Sequence, residues 1–132
     1  MTLVRARVEI HGTKKQVTAT ALVGTGATLT LIDREVADEI GVKYTGRKIK
    51  LVVADGHELP SELAIVDKVV IEGEELPQAH IAVTEFPQKL RQRLETLQLC
   101  TWCIIGATTL ETLELTPNPK TGKLEKTQAL LL

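Results

Sequence analysis

The stretch ALVGTGATLTLI, residues 21–32, decides how this sequence is interpreted. It is apolar or small throughout and has no charged residue, yet it is broken by Gly24 and Gly26 on either side of Thr25. Glycine inside an apolar strand is costly and usually marks a bend or the close approach of another backbone. A hydroxyl between two glycines can also hydrogen-bond to a facing main chain. The stretch therefore predicts a tight loop directed at a partner.

Two other interpretations of the loop compete with this one. The first is an ordinary turn between two core strands. The second is a glycine-rich phosphate cradle, which needs a helix N-terminus directly after the glycines. The third glycine of such a cradle is missing, and the next predicted helix begins only after Asp33. The sequence therefore disfavours the phosphate site and leaves the ordinary turn open.

Composition limits the classes of protein to consider. The chain has 132 residues, 43% hydrophobic but only 2% aromatic, which predicts one domain (1–132) with an aliphatic core. Sixteen basic and 17 acidic residues give a net charge of −1, so charge offers no case for binding nucleic acid or an anionic membrane. No apolar run approaches the ~20 residues of a membrane span, and the N-terminus does not resemble a signal peptide. We expect a cytoplasmic protein.

Around the loop, alternating and helical patterns define the expected elements. Period-two alternation and apolar runs predict strands at 3–10, 17–23, 28–32, 74–85 and 103–106, and two or three strands within 48–73, where Asp55-Gly56 forms a hairpin turn. Helices are expected at 34–40, capped by Asp33 and ended by Gly41, at 87–99 with Pro87 at its first helical position, and at 108–115. The tail, 114–132, contains two further strand-like runs around a turn at 119–122.

The sequence of the loop is partly repeated later in the chain, and the two similar stretches are called the echo segments here. Residues 23–32, VGTGATLTLI, and residues 103–113, CIIGATTLETL, share an apolar residue three positions before Gly-Ala-Thr and a leucine within two residues after it. This predicts two similar strand-to-turn segments, with a pseudo-two-fold relation as one explanation and chance as the other.

Taken in order, these motifs resemble the retropepsin-like aspartic peptidases. The resemblance rests on the xTGA loop, the ADG hairpin and IIG followed by a short helix, and the tail PKTGKLE is similar to prokaryotic members. It covers nearly the whole chain, with 87–99 as an apparent insertion. It implies a mostly β, closed, retropepsin-like barrel with two or three short helices. Because the chain has one such loop, it also implies a symmetric homodimer in which two loops meet.

The resemblance implies a catalytic loop at Gly24, Thr25 and Gly26. In the family this loop reads Asp-Thr/Ser-Gly-Ala, and the two aspartates of a dimer share a proton and activate water while the threonines cross-bond. Here Gly24 stands at the aspartate position, and glycine has no group that transfers a proton. The sequence therefore predicts an inactive peptidase scaffold. Both a deliberate knockout and a natural pseudoenzyme fit this glycine.

The same resemblance implies a substrate cleft. Ala27 and Thr28 match positions that bond the substrate main chain, and Trp102 and Ile104 match the wall of the substrate pockets. Trp102 fits equally well as a plug in the core. A flap that closes over an extended peptide corresponds to Val53, Ala54, Asp55 and Gly56, ending at His57.

Neither a cofactor nor a metal is expected. His11, His57 and His80 lack metal-ligand spacing, and Cys100 and Cys103 form a lone CxxC followed by an apparent strand. We interpret the cysteines as packed side chains rather than as a functional pair. A non-catalytic peptide-binding or dimerisation module is the alternative function.

Overall fold

A computed structural model describes residues 3–52 and 56–127 of the chain. The strands of this part are β1 (Arg5–His11), β2 (Gln16–Val23), β3 (Leu31–Asp33), β4 (Lys43–Val52), β5 (Glu58–Ile71), β6 (Glu74–Thr84), β7 (Cys103–Ile105), β8 (Leu115–Asn118) and β9 (Lys123–Lys126). The helices are α1 (Arg34–Ile40), α2 (Gln88–Thr96) and α3 (Ala107–Thr112). Among the residues described, no helix combines the length and hydropathy that crossing a membrane requires.

Six of the strands close into a barrel. Their order is β1-β2-β7-β3-β6-β5, and β5 pairs back to β1, so the ring has no free edge. β4 extends β5 outside this ring, and β8 and β9 form a separate hairpin. The predicted closed, mostly β barrel is confirmed.

Strict alternation produces the barrel core. Along β1, the side chains of Ala6, Val8 and Ile10 are buried while Arg5 and Arg7 are exposed, because successive residues of a strand point to opposite faces. Aliphatic side chains from the other strands complete this core, as the shortage of aromatic residues predicted.

A second, smaller apolar cluster lies beside the barrel and is called the α2 cluster here. Its buried members are Leu31, Ala82, Phe86, Leu94, Leu99 and Ile104. Partly buried side chains surround them, namely Leu22, Ala27, Leu29, Ile49, Leu51, Leu90 and Leu97. This cluster connects the 87–99 insertion to the strands that carry the glycine loop.

The helix ends mostly follow the sequence signals. Asp33 caps α1 by accepting a hydrogen bond from the Glu35 amide at 3.3 Å, and Gly41 ends it with a φ of +81°. Pro87 occupies the N-cap position of α2 rather than its first helical position.

The strand predicted at 28–32 is shorter than expected and later in the chain. Only Leu31–Asp33 pairs as β3. The residues immediately before it make their main-chain hydrogen bonds elsewhere, as the site geometry explains.

Candidate functional site

The Gly24 loop, residues 24–28, is a tight turn at the end of β2. The Gly24 amide donates to the Ile105 carbonyl at 2.9 Å, and the Ala27 amide donates to the Gly24 carbonyl at 2.9 Å. Thr25 and Gly26 lie exposed at its tip. The predicted tight loop is therefore present, anchored to β7 at its first residue.

The start of α3 holds the other end of the loop. The Ala107 amide donates to the Ala27 carbonyl, and the Thr108 amide donates to the Thr28 carbonyl, both at 2.8 Å. These bonds explain why β3 begins only at Leu31. They also bring the two echo segments of the sequence into direct contact, alongside the parallel pairing of β2 with β7.

A buried pair of threonine hydroxyls stabilises the contact between the Gly24 loop and α3. The Thr30 and Thr109 hydroxyls lie 2.7 Å apart, and the Gly106 amide donates to the Thr30 hydroxyl at 3.0 Å. Both threonines are almost fully buried, with exposed fractions of 0% and 3%. Buried polar groups need such partners, so this cluster fixes the position of the loop relative to α3.

Gly106 is required by packing. A Cβ atom at this position would lie 2.3 Å from the backbone carbon and oxygen of Leu29. No side chain fits there without moving the backbone that leads from the Gly24 loop into β3.

Gly24 is under a weaker constraint. Its φ lies outside the left-handed region, so the backbone accepts any L-residue. A Cβ atom there would approach the Cγ2 methyl of Ile104 to 2.8 Å, and its next neighbour is the Ile105 carbonyl oxygen at 4.0 Å. An aspartate at position 24 therefore requires the Ile104 side chain to move but leaves the backbone in place.

Asp33, the buried carboxylate nearest in sequence to the loop, forms hydrogen bonds with groups outside the loop. Only 2% exposed, Asp33 accepts hydrogen bonds from the Phe86 amide at 2.9 Å and from Arg91 Nη2 at 2.8 Å, in addition to its capping bond. These contacts confirm the cap and add two partners more than 50 residues away that the sequence did not indicate. Burial and these three hydrogen bonds fix Asp33 in a structural role.

The chain is similar to known proteins in sequence and in fold. A family model described as aspartyl protease matches residues 6–109. The chain belongs to the aspartyl protease family. No curated protein sequence matches the chain.

Solved structures of similar fold are retropepsin-like. The retroviral protease-like domain of Ddi1 from Leishmania major has a TM-score of 0.58 and 20% identity, covering 96% of this chain and 89% of that one. A retropepsin-like aspartic protease from Rickettsia conorii has a TM-score of 0.57 and 18% identity, covering 88% and 84%. The EIAV protease, solved with the inhibitor HBY-793, has a TM-score of 0.54 and 18% identity, covering 85% and 88%. At these identities the likeness shows the fold.

The family resemblance assigns the flap to the hairpin between β4 and β5. Of the residues assigned to the flap, Val53, Ala54 and Asp55 lie outside the described residues, while Gly56 is exposed with a φ of +89°. Next to the tip, Val52 is 70% exposed, an unusual position for a large aliphatic side chain. Further along β4, Ile49 and Leu51 share the α2 cluster with Ala27 of the loop and with Ile104.

The two residues assigned to the pocket wall face different surroundings. Ile104 pairs with Leu22 on one side and Leu31 on the other, and it is a member of the α2 cluster. Trp102 is partly buried against the barrel core, and its carbonyl accepts the Asp33 amide at 2.9 Å. The structure therefore brings Ile104 to the Gly24 loop and places Trp102 with the barrel core.

The two cysteines of this family member are free thiols, with Cys103 buried and Cys100 partly buried. Burial raises the pKa of Cys100 to about 11, although the amides of Trp102 and Cys103 hydrogen-bond to its sulfur and lower it in part. Complete burial also raises the pKa of Cys103. Across residues 3–52 and 56–127, no three His, Cys, Asp or Glu side chains are arranged to hold a metal ion.

Proposed function

We propose that this chain is a retropepsin-like scaffold that dimerises symmetrically, binds extended peptides between two Gly24 loops and does not hydrolyse them. The observation that carries the proposal is the Gly24 loop itself. It is held rigidly by α3 and β7 at its base, is exposed at its tip, and has a glycine where the family has its catalytic carboxylate.

The tip of the loop supports dimerisation. Within the described part of the chain, the exposed Thr25 hydroxyl has no hydrogen-bond partner. A Cβ atom at Gly26 would have no neighbour within 4 Å. Both residues are therefore accessible to a second copy of the loop facing the first across a two-fold axis, which supports the proposed dimer.

The surroundings of the loop support peptide binding. Extended peptides bind largely through main-chain hydrogen bonds, which need no carboxylate, while apolar pockets select the side chains. The Gly24 loop offers main-chain groups between exposed positions 25 and 28, and Ile104, Ile49 and Leu51 supply aliphatic walls nearby. Peptides with bulky aliphatic side chains are the expected ligands.

The absence of a carboxylate at position 24 supports the lack of activity. The shared proton of a peptidase dyad requires one carboxylate from each copy, close enough that both cannot ionise together. Gly24 contributes none, and Asp33 is held by Arg91 and by the amides of Glu35 and Phe86.

Sedimentation equilibrium of the chain and of Thr25→Val tests the assembly. We expect a dimer, with the dissociation constant of Thr25→Val raised about tenfold because each interface loses two symmetry-related hydroxyl bonds. Thr18→Val is the matched control, since Thr18 is an exposed threonine in the middle of β2, and it should dissociate like the parent. A monomer at high micromolar concentration, or equal effects of the two substitutions, contradicts the proposed dimer.

A further inference from the structure

An apolar groove runs between α2 and the strand that leads into the Gly24 loop. We call it the α2 groove; it encloses about 510 Å³ and is lined by Leu3, Leu22, Leu90, Gln92, Arg93, Leu94, Thr96 and Leu97. Leu3 is 43% exposed, and Leu22, Leu90 and Leu97 are only partly buried. The groove therefore presents aliphatic surface that the chain itself leaves uncovered.

The helix that forms one wall is fixed rather than loosely attached. The Arg91 guanidinium bonds to the buried Asp33 carboxylate at 2.8 Å and donates through Nε to the Phe86 carbonyl at 3.1 Å. Leu94 is 1% exposed in the α2 cluster. The groove is consequently preformed, and a ligand need not order the helix to bind there.

The groove lies close to the Gly24 loop, because Leu22 of its lining is in the strand that leads into the loop. Leu22 lies two residues before Gly24, which is roughly 7 Å along a strand. Leu22, Leu90 and Leu97 also surround the same apolar cluster as Ala27 and Ile104. An extended peptide has the same rise per residue, so a peptide that runs alongside β2 from the loop brings its next side chains to the groove.

One cation on the groove has no counter-ion. Among the described residues, the exposed Arg93 guanidinium forms no ion pair, whereas Arg91 on the same helix is paired with Asp33. A carboxylate next to an aliphatic ligand side chain complements this combination of an apolar wall and a free guanidinium.

From these contacts we infer that the α2 groove is an extension of the peptide site that selects a leucine-like side chain followed by an acidic residue. The inference rests on the proposed peptide-binding function. It assigns to the 87–99 segment the recognition of ligand residues away from the centre of the cleft.

Blocked decapeptides with a central Leu-Phe pair provide the test. Three versions carry Leu-Glu, Leu-Gln or Ser-Gln three residues from the centre, with matching versions on the other side. Affinity should fall from Leu-Glu to Leu-Gln to Ser-Gln on one side of the centre. Arg93→Glu should weaken the Leu-Glu peptide about fivefold and leave the Leu-Gln peptide within twofold. Lys89→Glu is the matched control, because it makes the same charge change on an exposed part of α2 outside the groove.

Amide chemical shifts separate this inference from the proposed function. Shifts at both Thr28 and Leu97 support both, and shifts at Thr28 alone overturn the groove while leaving the cleft intact. Shifts at Leu97 alone contradict the cleft and also overturn the inference that the groove extends it. If Arg93→Glu and Lys89→Glu weaken the Leu-Glu peptide equally, the role given to Arg93 is wrong.

Discussion

The sequence Gly-Ala-Thr occurs twice at the site, and the two copies are used in opposite ways. Gly106, Ala107 and Thr108 begin α3, and Gly106 is buried against the Leu29 backbone, where a Cβ atom would lie at 2.3 Å. Gly26, at the start of the other copy, is exposed, and a Cβ atom there would meet nothing within 4 Å. The main chains of the two copies bond to each other directly.

This difference separates what the fold needs from what a partner needs. Gly106 is explained completely by packing within one chain. At Gly26 neither packing nor a positive φ requires a glycine, and this agrees with the proposed facing loop or bound peptide. In the proposed function, Gly24 stands at the position of the family's reacting group and the scaffold around it is kept.

The largest effect should come from Gly106→Ala. The added methyl cannot fit without displacing Leu29 and Thr30, so the free energy of unfolding in urea should fall by about 3 kcal/mol. Gly26→Ala is the matched control and should change it by less than about 0.5 kcal/mol. Similar losses for the two substitutions would remove the contrast between the copies.

A second prediction concerns the thiol of Cys100, which lies shortly before the buried Gly-Ala-Thr copy at residues 106–108. Because the pKa of Cys100 is about 11 in the folded chain against 9.0 for a free thiol, the folded protein should carry about a hundredfold less Cys100 thiolate at pH 8. Because only the thiolate reacts, the rate of Cys100 alkylation in the native chain should rise about tenfold per pH unit from pH 7 to 10. In the chain unfolded by urea, where the thiol has its ordinary pKa, the alkylation rate should level off near pH 9. Mass spectrometry assigns the site, and a native rate that levels off near pH 9 would show that Cys100 is not desolvated.

A smaller loss of stability is expected when the Thr30–Thr109 hydroxyl pair is removed. Thr30→Val removes the acceptor of the Gly106 amide and the partner of Thr109, which should cost about 2 kcal/mol of unfolding free energy. Thr109→Val should cost less, because the Gly106 amide keeps its acceptor. The double substitution should cost less than the sum of the singles, since the two hydroxyls interact. Strict additivity would mean that they do not act together.

Much of the fold was predictable because its signals are local. Alternation located β1 and β2, and the Asp33 and Gly41 caps bounded α1, because these signals depend on residues that are neighbours in the sequence. The closed barrel was implied instead by the family resemblance of the glycine loop and the downstream IIG.

The rest depends on contacts between distant residues. The strand expected at 28–32 is shortened because residues 27 and 28 bond to the start of α3, about 80 positions away. The partners of Asp33 at Phe86 and Arg91 and the exposed wall of the α2 groove likewise appear only once the chain has folded. Their only sequence signal was the amphipathic pattern of 87–99, which does not specify what the helix packs against.

The central claim is that this chain retains the peptidase scaffold and lacks only the carboxylate. Peptidase activity of Gly24→Asp against a diverse peptide library tests it most directly, with Gly24→Asn as a control of nearly the same shape, since both require Ile104 to move. We predict that the parent and Gly24→Asn bind peptide without cleaving it, and that Gly24→Asp cleaves peptides in a reaction that an aspartic-protease inhibitor blocks. Cleavage by the parent, or a Gly24→Asp dimer that is folded and binds peptide but cleaves none, would contradict the account.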